Sequence, residues 1–309
     1  MTPSLTTRYQ EQAVTFACQG EELIGVVARP AFSNVMLPGQ VTVGLVIVVG
    51  GPQYRAGSHR QFVLLARMLA AHGVPVLRFD YRGMGDSTGE QREFEDVNDD
   101  VAAAITTLTR VVPSITNVAL WGLCDGASAA LLYCQATQDI RVKGLCLLNP
   151  WVRSEASLAK TYVKHYYTER LLQREFWLKL LGGKVAASAA IDLVRHVKSA
   201  LGRQVASMRD SASNHPYQIR MALGLSQFKG QVLLILSGDD YVAKEFLEYS
   251  MKDDAWKCCF QLSNLARHDI LGGDHTFSSA SARIQTESLT LDWLSRLQGL
   301  SLAHIQPTK

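Results

Sequence analysis

Apolar residues fall in two rhythms along this chain. Short unbroken runs recur at Leu45-Val46-Ile47-Val48-Val49, Val76-Leu77-Arg78-Phe79, Asn117-Val118-Ala119-Leu120-Trp121, Gly144-Leu145-Cys146-Leu147-Leu148 and Val232-Leu233-Leu234-Ile235-Leu236. Runs of this length without polar alternation are the mark of strands buried on both faces of a parallel sheet. Between them, apolar positions return at helical spacing. Phe62, Leu65, Ala66 and Leu69 predict one helix, with Ser58 as its cap and Gly73 as its stop, and an amphipathic stretch from about Glu93 to Arg110 predicts another. Such alternation requires right-handed crossovers and a mostly parallel sheet. Ahead of it, Ala13 to Cys18 and Ile24 to Arg29 flank a turn at Gln19-Gly20-Glu21-Glu22 and predict an antiparallel hairpin. Trp256 to Leu262 predicts the last strand, and Ser281 to Leu297 a closing helix.

After Asn149-Pro150 the alternation stops. Trp151 to about Phe228 has helical character and no convincing strand, and it predicts a helical cap over the carboxyl edge of the sheet. The expected organisation is a core of 1–150 and 229–309 with an insertion at 151–228. The alternative is a separate helical domain; the return of the alternating pattern favours the insertion. In the cap, Trp151, Tyr162, Tyr166, Tyr167, Phe176 and Trp177 are candidates to line an apolar acyl pocket, against the plainer reading that they are core.

The run at Asn117 to Trp121 leads into Gly122-Leu123-Cys124-Asp125-Gly126, and Ala127 to Ala136 then reads as a helix of small residues. This G-x-C-x-G is a nucleophile elbow, G-x-S-x-G, with sulfur in place of oxygen: a tight strand-to-helix turn that lifts one side chain above the sheet edge. Cys124 is the candidate nucleophile. The helix start favours its thiolate, while the carboxylate of Asp125 disfavours a second negative charge beside it.

Composition narrows the classes. In 309 residues, 31 Lys+Arg against 28 Asp+Glu leave +3, too balanced to imply a nucleic-acid or acidic-membrane partner. Six cysteines at 18, 124, 134, 146, 258 and 259 have no C-x-x-C spacing and imply neither a metal site nor a redox pair. No cofactor is expected. Residues Met1 to Arg8 lack the apolar core of a signal peptide, and the run Val41 to Val49 is too short to span a bilayer. A reduced, cytoplasmic, soluble protein is expected, without membrane insertion.

Three polar residues follow the ends of three apolar runs in the order Cys124, an aspartate at 239 or 240, and His275. This order, nucleophile then acid then histidine, is that of the α/β-hydrolase fold, which the chain resembles over nearly its whole length. The resemblance implies a mostly parallel eight-stranded sheet flanked by helices, with the cap inserted after the sixth strand. Val49-Gly50-Gly51-Pro52 resembles the H-G-x-P turn of that fold, implying an oxyanion hole formed by the backbone N–H groups of Gly51 and Asp125. His275 lies in a D-H-T-F-S run matching the fold's histidine loop, with His268 as the fallback; a G-x-D form favours Asp240 over Asp239. Asp80 and Arg82 resemble a D-x-R-G-x-G-x-S segment in which an ion pair braces the strand end. Arg55, beside the expected oxyanion turn, is a candidate to bind an anionic substrate group, and Trp151 is a second substrate-binding candidate.

Three segments are closer still: Gly50 to Phe62, Phe79 to Ser87, and Trp121 to Gly126. With Asn149-Pro150-Trp151-Val152-Arg153 they resemble exosortase-A-system-associated hydrolase type 1, a group similar to serine aminopeptidase-like and dienelactone-hydrolase-like enzymes. The resemblance implies a bacterial protein linked to exopolysaccharide synthesis and protein sorting. The expected function is hydrolysis of a small-molecule ester or thioester through Cys124, His275 and Asp240 with an acyl-cysteine intermediate. An acyltransferase with the same triad and a catalytically silent scaffold are the alternatives.

Overall fold

A computed structural model describes residues 8–31, 42–51, 53–153 and 215–299. The chain divides into two compact units, Met1–Trp151 with Tyr217–Lys309, and Val152–Pro216. The sheet and every site residue expected from sequence belong to the first. The cap expected over 151–228 falls, from 154 to 214, outside the described residues, and so do its aromatics from Tyr162 to Trp177.

Eight strands form one sheet: β1 (Tyr9–Cys18), β2 (Glu21–Pro30), β3 (Thr42–Val48), β4 (Val76–Phe79), β5 (Ile115–Leu123), β6 (Val142–Leu148), β7 (Gln231–Ser237) and β8 (Leu265–Ile270). Their order is β1-β2-β4-β3-β5-β6-β7-β8. The β1–β2 hairpin pairs antiparallel and docks antiparallel on β4, and every later pairing is parallel. The alternating burial of β1 suits an edge hairpin, whereas Leu45, Val46, Ile47, Leu120 and Leu145 on the central strands are wholly buried. Each such side chain contributes roughly 1.5–3 kcal/mol to the core.

Among the described residues, six helices flank the sheet: α1 (Gln61–Ala71), α2 (Asn98–Val111), α3 (Asp125–Thr137), α4 (Tyr217–Gln227), α5 (Tyr241–Lys252) and α6 (Ala280–Leu297). Ser58 does not cap α1 through its side chain; Ser58–Arg60 form a separate short turn, and the cap is Arg60 in a left-handed conformation. Helix α4, which the sequence assigns to the insertion, sits against α3 so closely that a Cβ on Gly224 would strike the Leu131 carbonyl. It therefore belongs to the core unit, and the boundary falls at Tyr217 rather than after Phe228.

The last strand is also displaced from its expected place. Trp256 to Leu262 forms turns and a short 3-10 helix, while the strand is Leu265–Ile270. Trp256 and Cys259 are fully buried, and Trp256 stacks edge-on against Phe246 of α5, so their apolar character reflects core packing at helical spacing. The true strand is polar because it is the sheet edge, with only Ile270 buried.

Candidate active site

The site is assembled at the carboxyl ends of β5, β7 and β8, where open parallel sheets leave a crevice. At the end of β5 the chain turns through Cys124, whose backbone has φ 60° and ψ −127° and which stands as the N-cap of α3. A bulky residue in that region is strained by about 1–3 kcal/mol and persists only where its surroundings dictate it. The surroundings here are glycines: a Cβ on Gly122 would run into the Gly126 backbone, and one on Gly126 would run into the Val48 carbonyl. Cys124 N–H donates to the Leu148 carbonyl at 2.9 Å, and the Trp151 N–H donates to the Cys124 carbonyl at 3.3 Å. The elbow is thus fastened to β6 on one side and pressed against β3 on the other.

None of the six cysteines forms a disulfide. Burial pushes the thiols of Cys18 and Cys259 up to about 11 and that of Cys134 to about 12, and raises Cys146 further. These four are held as inert core thiols. Cys124 differs in being half-buried at a helix N-terminus.

Asp240 and His275 meet. His275 Nδ1 lies 2.9 Å from Asp240 Oδ2, with the carboxylate buried and the ring about one-third exposed. Asp240 is also the N-cap of α5, accepting from the Val242 N–H at 3.1 Å and the Ala243 N–H at 3.2 Å. One carboxylate therefore starts a helix and orients an imidazole, which fixes it in place. Asp239 is exposed, and its N–H donates to the Gly273 carbonyl at 3.0 Å, tying the acid loop to the histidine loop. His268 lies on exposed β8, away from this pair.

Two residues that sequence reasoning missed hold the histidine loop. Asn149 is fully buried at φ 43° just past β6; its Nδ2 donates to Ser237 Oγ at 2.8 Å and to the His275 carbonyl at 3.1 Å. Its Oδ1 accepts from the Ser237 N–H at 2.8 Å, and Ser237 Oγ donates to the Asp274 carbonyl at 2.8 Å. The signal for Asn149 was a polar side chain directly after an unbroken buried strand.

Arg55 does not present an open guanidinium to substrate. Nη1 pairs with buried Asp80 and Nη2 reaches Asp86 at 2.6 Å, while the Arg55 N–H donates to Asp80 Oδ1 at 2.6 Å. Arg82 braces as expected but with a different partner: it grips Asp100 of α2 at 2.7 and 3.1 Å rather than Asp80. Trp151 is half-buried beside the elbow, its N–H and carbonyl both bonded to Ser128 Oγ, at 3.0 and 2.7 Å.

Gly51 has φ +60°, and the Asp125 side chain packs against the Gly50-Gly51 turn. Burial raises the Asp125 carboxyl above its ordinary range, although the Gly51, Gly126 and Asp125 amides and His275 all pull the other way. Among the described residues no cluster of ligating side chains could hold a metal ion, and no helix is long and apolar enough to cross a membrane.

A family model described as serine aminopeptidase, S33, matches residues 42–272. The chain belongs to the serine aminopeptidase S33 family. This S33 member has the α/β-hydrolase fold, and solved structures share it. One is the Pyrococcus furiosus esterase Pf2001, with a TM-score of 0.58 and 16% identity over 93% of each chain. Another is Est1E from Butyrivibrio proteoclasticus with ferulic acid bound, with a TM-score of 0.57 and 17% identity over 92% of this chain and 99% of that one. The human Protein ABHD12B is 40% identical over 86 residues, a match covering 28% of this chain and 23% of that protein. The match thus spans less than a quarter of that relative's length.

Proposed function

We propose that this S33 member hydrolyses an ester or thioester of a small acyl molecule through Cys124, His275 and Asp240. The observation that carries the reading is the His275–Asp240 pair at 2.9 Å, set beside an elbow that raises a half-buried thiol at the start of α3. With Nδ1 engaged by Asp240, the Nε2 nitrogen is the one available to take the Cys124 proton. The sulfur attacks the acyl carbon, and the carbonyl oxygen gains negative charge against the Gly51 and Asp125 N–H groups. Collapse expels the alcohol or thiol, which takes the proton from His275. Water, deprotonated by His275, then cleaves the acyl-cysteine thioester to the free acid and restores the thiol. Trp151, beside the elbow, is assigned to the acyl side of the crevice. Residues inserted between β6 and α4 are assigned to a cap, and the cytoplasm is the assigned compartment. The resemblance to exosortase-A-system-associated hydrolase type 1 supports a bacterial exopolysaccharide setting.

The test is turnover of short and long acyl thioesters and p-nitrophenyl esters, with mass spectrometry of the Cys124 peptide. Wild type should turn over and carry transient acyl on Cys124. His275→Ala should lose on the order of 10²–10⁴-fold in kcat, the usual share of a general base. Undiminished turnover in Cys124→Ala would overturn the mechanism. Acyl transfer seen only when a sugar acceptor is added would replace hydrolysis by transfer.

A further inference from the structure

The loop between β3 and α1 begins at the Gly50-Gly51 turn, which is pressed against the elbow: a Cβ on Gly50 would strike the Leu123 carbonyl and the Gly126 nitrogen. Four residues beyond Gly51, the same loop is tied through Arg55 to β4 and to the segment after it. The Arg55 N–H donates to Asp80 Oδ1 at 2.6 Å, Nη1 pairs with Asp80 Oδ2, and the Arg55 carbonyl accepts from Arg78 Nη1 at 3.4 Å. Asp80 is itself well fixed. Its side chain is wholly buried, its N–H donates to the Ile24 carbonyl at 2.9 Å, and Oδ2 also accepts from the Asp86 N–H at 3.2 Å. Gly85, at φ +54°, has no room for a Cβ because the Asp80 carboxylate fills the space. Beyond Arg55 the loop closes on itself, with Gly57 N–H donating to the Tyr54 carbonyl at 2.8 Å and Ser58 N–H to Gln53 Oε1 at 3.2 Å. An ion pair alone would let the loop backbone pivot about a long side chain. The bond from Asp80 to the Arg55 N–H removes that freedom, so one buried carboxylate sets the path of the main chain as well as balancing a charge.

We propose that Asp80 is a positioning residue for the oxyanion hole: acting through Arg55, it holds the loop that aims the Gly51 N–H. The inference rests on the hydrolase reading and adds the group that keeps one of its two oxyanion donors in place. A donor serves only when it stands about 2.7–3.1 Å from the position the oxyanion will occupy, and a misplacement of about 1 Å costs about 10²-fold in rate. Asp80 touches neither the substrate nor the triad, and its whole effect on the reaction passes along the chain from Arg55 to Gly51. Asp86, which closes the other side of the guanidinium at 2.6 Å, is mostly exposed and holds no backbone of this loop, so it adds little.

The experiment measures kcat and KM on a short acyl thioester, and the rate at which iodoacetamide alkylates Cys124, in wild type, Asp80→Ala, Asp80→Asn, Arg55→Lys and Arg82→Met. Alkylation draws on the thiolate but develops no carbonyl oxyanion, so it reports the elbow without the hole. Peptide mapping separates that label from exposed Cys258. Asp80→Ala removes both grips on Arg55 and should lose about 10²-fold in kcat, while Asp80→Asn, which keeps one acceptor, should lose about 10-fold. In both, KM and the alkylation rate should stay near those of wild type. Arg55→Lys keeps the backbone bond and the charge, and should retain most of kcat. Arg82→Met breaks the neighbouring buried pair without touching this loop, and should keep kcat while losing stability. A folded Asp80→Asn protein with wild-type kcat overturns the inference alone. So does alkylation that falls in step with kcat, which would put the damage at the elbow or the histidine, or an Arg82→Met loss as large as that of Asp80→Asn. If wild type neither turns over nor labels Cys124 faster than free cysteine, the hydrolase reading fails and takes this one with it. Should Asp80→Ala not fold, Asp80→Asn, equal in shape, decides the matter.

Discussion

Two loops at the same edge of the sheet are held by opposite means. Past β4, the chain is clamped by ion pairs: Arg55 to Asp80 and Asp86, and Arg82 to Asp100, with the Asp80 and Asp100 side chains wholly buried. Past β7 and β8, the histidine loop hangs on neutral hydrogen bonds from Asn149 and Ser237. Both loops are fixed, but only the first is tied to other elements by ion pairs; the charge in the second, on Asp274, is engaged within the loop, accepting from the Ser278 N–H at 2.7 Å. Near an imidazole whose protonation the proposed mechanism uses, the bonds from Asn149 and Ser237 add no charge and leave Asp240 as the carboxylate bonded to the ring, whereas buried ion pairs would impose their own field.

The contrast predicts unequal costs. Arg82→Met keeps the hydrocarbon packing but strands Asp100 as a buried unpaired carboxylate, and should lower urea stability by about 3–5 kcal/mol. A loss under 1 kcal/mol would show that the clamp is screened like a surface pair. Asn149→Ala removes two donated bonds and one accepted bond, and should cost less, about 1–3 kcal/mol. Its larger mark should be on turnover, a fall in kcat of up to about 10²-fold with KM held, because His275 is shifted rather than removed. An unchanged kcat would mean that Asp240 alone positions the ring.

The smallest effect is reserved for an ion pair at the far end of the sheet, before β6. Burial alone would raise the Asp139 carboxyl, but hydrogen bonds from Arg141 and the Tyr133 hydroxyl bring it down to about 2. A carboxyl depressed below its unfolded value of about 3.9 stabilises the fold fully above that pH and loses the contribution as pH falls through its folded value. The melting difference between wild type and Arg141→Gln should therefore be present above about pH 4 and shrink toward pH 2. A difference that persists at pH 2 would assign Arg141 to packing instead.

The central sheet was legible because strands buried on both faces leave no polar position to confuse the pattern, as in Leu45 to Val49 and Val232 to Leu236. The edge was not. Strand β8 reads Leu265-Ala266-Arg267-His268-Asp269-Ile270, and one buried residue in six carries no periodic signal. Helix α5 went unread although Val242, Ala243, Phe246 and Ser250 give it a buried face; its start signal, Asp240, is an N-cap with a second task. Within the site, the order of Cys124, Asp240 and His275 was readable from strand ends, and the exposed Asp239 separates from buried Asp240 only once the loops are folded. Ion-pair partners were misassigned because Asp80 and Arg82, neighbours in one segment, each pair with a residue from a separate stretch, Arg55 and Asp100. Asn149 acts across β6, β7 and the histidine loop, a relation that no local pattern records.

The elbow's glycines place the steric demand of the turn on the positions two residues either side of Cys124. Neither Gly122 nor Gly126 has space for a methyl group, but position 124 bears its side chain outward from a torsion already set by its neighbours. Exchanging one chalcogen for another there changes a single atom and leaves the backbone path alone. A turn of this kind accepts a thiol or an alcohol at position 124 without redesign of the scaffold, while a side chain at either glycine would close the route altogether.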